Sequence, residues 1–133
     1  VVADALYPPL EAADVVLLDV PCTGTGTLAR HPDSRWRLAP ASVKSLARLQ
    51  KRLLGAAAGI VAPGGLLVYS TCALEPEENE EQVDAFLIEN RDFHVEATEA
   101  VPNRFLDNYG RLVVNPHETG FDGAFAARLR RSA

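Results

Sequence analysis

Methionine is absent from the 133 residues, tryptophan occurs once, cysteine twice and histidine three times. No apolar run approaches the roughly 20 residues needed to cross a bilayer, so the chain reads as soluble. No segment combines a charged start, an apolar middle and a small-residue cleavage site, so export is not indicated and the cytoplasm is the expected compartment. Without a methionine, and with an opening Val1-Val2-Ala3-Asp4 that looks like the end of a strand, the chain is expected to be part of a longer product with its upstream part missing.

Two cysteines far apart in sequence lack the close pairing or partnering histidines of a zinc site. His31, His94 and His117 are scattered and read as surface or capping residues, so no metal is expected. A reducing compartment favours free thiols over a Cys22–Cys72 disulfide.

Net positive charge is also lacking: the formal charge is −5, which on its own argues against a nucleic-acid partner. The distribution is uneven. Acids concentrate between Glu75 and Glu99, whereas Arg30, Arg35, Arg37, Lys44, Arg48, Lys51 and Arg52 form a basic middle, and Arg128, Arg130 and Arg131 a basic end. Phosphate contacts are local, so a basic face on an acidic domain can still hold RNA. A pair of ordinary solvated faces is the alternative that charge leaves open.

What is present centres on two stretches, Val16-Leu17-Leu18-Asp19-Val20-Pro21-Cys22-Thr23-Gly24-Thr25-Gly26 and Leu66-Leu67-Val68-Tyr69-Ser70-Thr71-Cys72. Each reads as a buried strand ending at once in polar residues and a cysteine. Reactive groups of an open parallel sheet lie at the carboxyl ends of its strands, so two such strands side by side would gather Asp19, Cys22 and Cys72 around one crevice. Most free cysteines are small packing residues, and the sequence leaves that alternative open for both thiols.

Along the chain, Val1 to Ala5 reads as a strand end and Val15 to Asp19 as a strand, followed by a flexible loop from Thr23 to Gly26. Arg30 to Leu38 reads as a surface excursion with a short helix. Pro40 opens a helix to about Ile60, with Leu46, Leu49, Leu53, Leu54 and Ala57 on one face, and Pro63-Gly64-Gly65 stops it. A strand over Leu66–Ser70, a helix over Glu77–Asn90, and strand-like Phe93–Glu96, Arg111–Val114 and Gly123–Arg130 follow, two of these forming an antiparallel hairpin at the sheet edge. Strand, helix, strand, helix implies an α/β fold with right-handed crossovers and a mostly parallel sheet.

The motifs Asp19-Val20-Pro21-Cys22-Thr23-Gly24-Thr25-Gly26, Arg30-His31-Pro32-Asp33 with Trp36, Leu49-Gln50 before Pro63-Gly64-Gly65, Tyr69-Ser70-Thr71-Cys72, Glu75-Pro76-Glu77-Glu78-Asn79-Glu80, and Pro116-His117 with Gly120-Phe121-Asp122-Gly123 resemble, in order, the Sun/Fmu group of RNA cytosine-5 methyltransferases. The resemblance covers nearly the whole chain, and the paired Pro-Cys and Thr-Cys are its specific mark.

It implies the C-terminal part of a Rossmann-like class I methyltransferase domain that uses S-adenosylmethionine to methylate a cytosine in RNA. Small-subunit ribosomal RNA is the expected substrate, with tRNA as the alternative. It also implies Cys72 as nucleophile, Cys22 in product release and Asp19 facing both base and methyl donor. Asp4 and Pro21 join Asp19 on the cofactor side, and Arg30, Arg35, Arg37 and Trp36 are candidate RNA contacts; Trp36 packed against the long helix is the competing reading.

The family's glycine-rich cofactor loop would precede Asp4 and is not in these residues, so the 133 residues alone are expected to bind cofactor weakly or not at all. Ala73 stands where serine is common, and Ala124 where an aromatic is usual. A non-catalytic RNA-binding module and a thiol-redox domain remain the readings from other classes.

Overall fold

A computed structural model describes residues 2–133, the side chain of Arg37 excepted. Five strands form one mixed sheet: β1 (Ala13–Asp19), β2 (Val61–Thr71), β3 (Phe93–Val95), β4 (Leu112–Val114) and β5 (Ala124–Arg131), in the order β1-β2-β5-β3 with β4 also on β5. β1 and β2 run parallel, joined through the helix α1 (Pro40–Gly59). β5 is antiparallel to β2, and β3 and β4 pair antiparallel with opposite halves of β5.

The α/β class and the antiparallel edge stand as expected, but the sheet is not mostly parallel over this segment: one pairing is parallel and three are antiparallel. The cause lies in the connections. The β2–β3 link also carries a helix, over Glu80–Glu89, but β5 enters between β2 and β3 and runs antiparallel to both, after residues 115–123 turn the chain back from β4.

The core lies on one face of the sheet. Leu18, Tyr69 and Ala127 form one row across β1, β2 and β5, and Leu67 and Leu129 extend it. Leu53, Leu54, Ala57 and Ala58 of α1 and Val83 and Phe86 of α2 (Glu80–Glu89) pack into this cluster. On the opposite face of β1, Val15 and Leu17 are exposed, Leu17 by 72%. The expectation of a wholly buried first strand is thus corrected, because both long helices cover the other side.

Three further expectations change. No strand is assigned to residues 2–5: the Asp4 carboxylate accepts the Leu6 N–H at 2.9 Å and closes a turn instead, while Val1 lies outside the described residues. Pro63-Gly64-Gly65 does not stop the helix, which ends at Gly59. It sits inside β2, where the register with β1 jumps from Ala13↔Val61 to Val15↔Leu66. Gly64, at φ 75°, supplies the backbone angle that this bulge needs.

The helix expected from Glu77 begins instead at Glu80. A 3-10 turn, Pro76–Glu78, precedes it, and Asn79 between them takes a non-helical φ of −115° and ψ of −105°. Pro116–Thr119 forms a single helical turn, α3, closed by Gly120.

Candidate active site

The parallel register sets Asp19 opposite Ser70, so both chains leave the sheet at the same edge. Val20 still bonds to the Ser70 carbonyl at 3.1 Å, and two residues later each strand end presents a cysteine. The sulfurs of Cys22 and Cys72 lie 3.2 Å apart, both free and half-buried. The Asp19 carboxylate accepts the Ser70 hydroxyl through Oδ1 at 2.9 Å and is exposed to solvent. The three residues expected around one crevice are brought together at one edge of the sheet.

Burial pushes the Cys72 thiol up to about 12, with further pushes from the hydrogen bond and charge of Cys22 and from the negative field of Asp19. A thiolate at Cys72 would face an acid and a second sulfur in a partly dry site, and each disfavours extra negative charge. The resting form is therefore the thiol.

The loop after Cys22 folds back over this edge. Gly26 N donates to the Cys72 carbonyl at 2.9 Å, and Gly123 N donates to the Gly26 carbonyl at 2.8 Å. A Cβ on Gly26 would lie 2.6 Å from the Cys72 oxygen and 2.7 Å from the Gly123 Cα. Only glycine allows three backbone segments to meet this closely. The loop expected to be flexible is instead a 3-10 turn, Thr25–Thr27, pinned on both sides.

Acidic residues finish the pinning. Thr25 Oγ1 donates to Glu75 at 2.5 Å and accepts the Leu74 N–H at 2.9 Å. Glu78, with 0% of its surface exposed, accepts from the Thr23 N–H and hydroxyl and from the Gln50 side-chain amide. Asn79, also buried, takes the Thr71 hydroxyl and donates to the Ala73 carbonyl at 2.9 Å.

Glu78, Asn79, Gln50, Gly26 and Gly123 stand within the motifs of the resemblance, but residue order assigned none of them a part in the site. One signal was available: Gln50 is a lone polar residue on the apolar face that includes Leu49, Leu53 and Leu54, and a buried amide there needs a partner.

The remaining candidates are less gathered. Arg30 pairs with Asp122 at 2.9 Å and so ties the glycine loop to the turn before Gly123. Arg35 stacks over Trp36 at 4.8 Å, and Trp36 is 77% exposed, which removes packing against the long helix as its role. The Arg37 side chain lies outside the described residues. The Asp4 carboxylate is engaged within its own turn, accepting the Leu6 N–H. Pro21 is held through its carbonyl by Gln50 at 3.0 Å. Among the described residues no cluster of three His, Cys, Asp or Glu could hold a metal ion, and no helix is long and apolar enough to cross a membrane.

The family model described as "16S rRNA methyltransferase RsmB/F" matches residues 2–130. The "Probable ribosomal RNA small subunit methyltransferase B" of Synechocystis sp. is 46% identical over 128 residues, covering 94% of this chain and 29% of that protein. The "Ribosomal RNA small subunit methyltransferase B" of Thermus thermophilus is 44% identical over 128 residues, covering 96% and 32% respectively. The chain thus spans less than a third of the length of either relative.

Among solved structures, PH0851 superposes with a TM-score of 0.89 at 36% identity, over 98% of this chain and 30% of that one. NSun6 from Pyrococcus horikoshii, solved with SFG, superposes at 0.84 and 32% identity over 100% of this chain and 34% of that one. The fold is accordingly part of a class I methyltransferase. With the family model matched over residues 2–130 and relatives 46% and 44% identical along almost the whole of it, the chain belongs to the 16S rRNA methyltransferase RsmB/F family.

Proposed function

We propose that this chain carries the reacting thiols of an enzyme that transfers a methyl group from S-adenosylmethionine to carbon 5 of a cytosine in small-subunit ribosomal RNA, through a transient Cys72–cytosine bond. The observation that carries the reading is the 3.2 Å approach of the two sulfurs at the end of a parallel strand pair, beside an exposed carboxylate.

Carbon 5 of cytosine is a weak nucleophile. Addition of the Cys72 sulfur to carbon 6 makes the ring enamine-like and carbon 5 electron-rich. The Cys72 proton leaves to water as the sulfur–carbon 6 bond forms and the carbon 5–carbon 6 π pair moves into the ring. Asp19, hydrogen-bonded to ring nitrogen 3 and sharing a proton with it, spreads the charge that develops on the ring. A carboxylate so engaged also presents less bare negative charge to the sulfur, weakening one of the causes that hold the thiol protonated.

S-adenosylmethionine, when bound, supplies the methyl group on a sulfonium sulfur. The residues fit that role in part: Asp19 keeps its Oδ2 without a hydrogen-bond partner among the described residues and stands with Pro21 at the crevice, whereas Asp4 is turned to its own backbone. A structural neighbour was solved with an analogue of this cofactor. Once carbon 5 is methylated, its proton leaves and the Cys72–carbon 6 bond breaks, with Cys22 at the adjoining strand end to assist. The base must come out of its stack to reach this edge, and Arg30, Arg35 and Trp36 lie on the segments after the Cys22 loop where flanking phosphates and bases would pass.

The test uses the full-length protein, cofactor and a small-subunit RNA fragment bearing 5-fluorocytosine, whose fluorine blocks the last elimination. A covalent protein–RNA complex is expected, lost in Cys72→Ser and kept in Cys22→Ser. The reverse pattern would exchange the roles of the two thiols; no complex in the wild type would sink the reading.

A further inference from the structure

Glu78 and Asn79 are consecutive, buried and polar, and neither belongs to the reacting groups just described. Their side chains diverge to different strand ends. The Glu78 carboxylate accepts the Thr23 N–H at 3.0 Å, the Thr23 hydroxyl at 2.5 Å and the Gln50 amide at 2.8 Å; the same Gln50 nitrogen donates to the Pro21 carbonyl at 3.0 Å. The residues on either side of Cys22 are thereby held. The Asn79 amide accepts the Thr71 hydroxyl and donates to the Ala73 carbonyl, while Ala73 N bonds back to Thr71 Oγ1 at 3.2 Å. The residues on either side of Cys72 are thereby held too.

The dipeptide itself cannot drift. Tyr69, buried near the carboxyl end of β2, donates its hydroxyl to the Glu78 carbonyl at 2.6 Å, and the N–H groups of Glu78 and Asn79 close the 3-10 turn on Glu75 and Pro76. The non-helical backbone of Asn79 sends the two neighbouring side chains apart.

We propose that Glu78 and Asn79 are a two-pronged positioning element that sets the spacing of the two sulfurs, Glu78 acting on Cys22 and Asn79 on Cys72. The inference rests on the covalent reading above, because it assigns each prong to the step its cysteine serves. A thiol displaced by about 1 Å loses its reaction geometry, which can cost as much as ~100-fold in rate. Loosening Cys22 alone leaves bond formation intact and slows release. Loosening Cys72 alone prevents the bond from forming.

The experiment takes the full-length protein with two RNAs, one carrying ordinary cytosine and one 5-fluorocytosine, and reads covalent complex on denaturing gels alongside turnover. Glu78→Ala should accumulate complex on ordinary cytosine and lower turnover by about tenfold or more; Glu78→Gln, which can still accept from Thr23 N and Gln50, should largely restore release. Asn79→Ala should lower complex on the 5-fluorocytosine RNA and turnover on ordinary cytosine by a similar factor, with no complex accumulating on ordinary cytosine. Should either alanine variant lose its cooperative thermal transition, Gln50→Leu stands in for Glu78, since Gln50 Oε1 has no partner among the described residues and only its two amide bonds are lost, and Thr71→Val stands in for Asn79.

Parallel losses of complex in both sets of variants, or no change in either, overturn the proposal. A wild-type protein that forms no Cys72-dependent complex with 5-fluorocytosine RNA instead overturns the reading beneath it.

Discussion

Glu78 and Glu96 are the same side chain used in two opposite ways. Glu78, at the crevice, is wholly buried and held by neutral donors from Thr23 and Gln50, and no arginine or lysine among the described side chains pairs with it. Glu96, beyond β3, is gripped by the guanidinium groups of Arg128 and Arg130 on β5. The crevice carboxylate works through short, directional bonds to particular backbone groups; the edge carboxylate works through charge. A buried carboxylate with three donors fixes positions, and a surface ion pair fastens an edge while staying open to salt and acid.

The sharpest break in that comparison comes from the close approach above Cys72. Gly26→Ala would drive a methyl group into backbone on two sides, and overpacking against groups that cannot rotate away should cost about 3 kcal/mol. Chemical denaturation of the full-length variant should show this together with loss of the covalent RNA complex. An unchanged midpoint would mean that the loop is not seated as described.

Next in size is Glu78→Ala, which leaves the Thr23 N–H and the Gln50 amide with fewer acceptors in a dry site. About 2 kcal/mol of stability should be lost. That loss should be the same in low salt and in about 1 M salt, where the Debye length falls to ~3 Å. Glu96→Gln should instead lower the melting temperature measurably in low salt and hardly at all in high salt. Equal salt dependence of the two variants would erase the distinction drawn here.

Acid separates the regions again. Hydrogen bonds from Arg130 and Arg128 hold the Glu96 carboxyl down at about 2. A carboxylate whose folded value is depressed contributes stability that is fully present above its ordinary value of 4.5 and is lost as pH falls toward the depressed one. Wild type should therefore shed this contribution between about pH 4.5 and pH 2, and Glu96→Gln should show a flatter acid limb. Parallel acid limbs would refute the pairing.

The smallest effect is on the thiol. With burial, Cys22 and Asp19 holding the Cys72 thiol up at about 12, iodoacetamide should label Cys72 more slowly at pH 8 than it labels a free cysteine, with the rate climbing steeply in alkali. Asp19→Asn removes one negative neighbour and should speed labelling at pH 8 by a few-fold. Slower labelling in that variant would contradict the field assigned to Asp19.

Much of this was legible in residue order. The apolar runs ending in Asp19 and Ser70, the amphipathic face of α1 and the shared position of the two cysteines after their strands lead to the crevice because strand polarity dictates which end carries the groups. The acidic stretch from Glu75 to Glu80 misleads, since charge in a chain of this composition reads as solvated helix surface. Glu78 and Asn79 turn inward because Pro76 starts a tight turn and because the backbone around both cysteines has donors and acceptors with no strand partner. The Pro63-Gly64-Gly65 run misleads for a similar reason: turn chemistry was visible, but whether it ends a helix or bulges a strand depends on β1 lying alongside.

What the order of residues settled by itself is the chemistry available, two thiols and an acid at strand ends, because side-chain identity and hydrophobic period are local. What only the folded chain decided is their mutual distance and protonation. The 3.2 Å between the sulfurs, the glycine seam at Gly26 and Gly123, and the field on Cys72 arise from strands and loops remote in sequence, brought into register by the burial of Leu67, Tyr69 and Phe125 behind them.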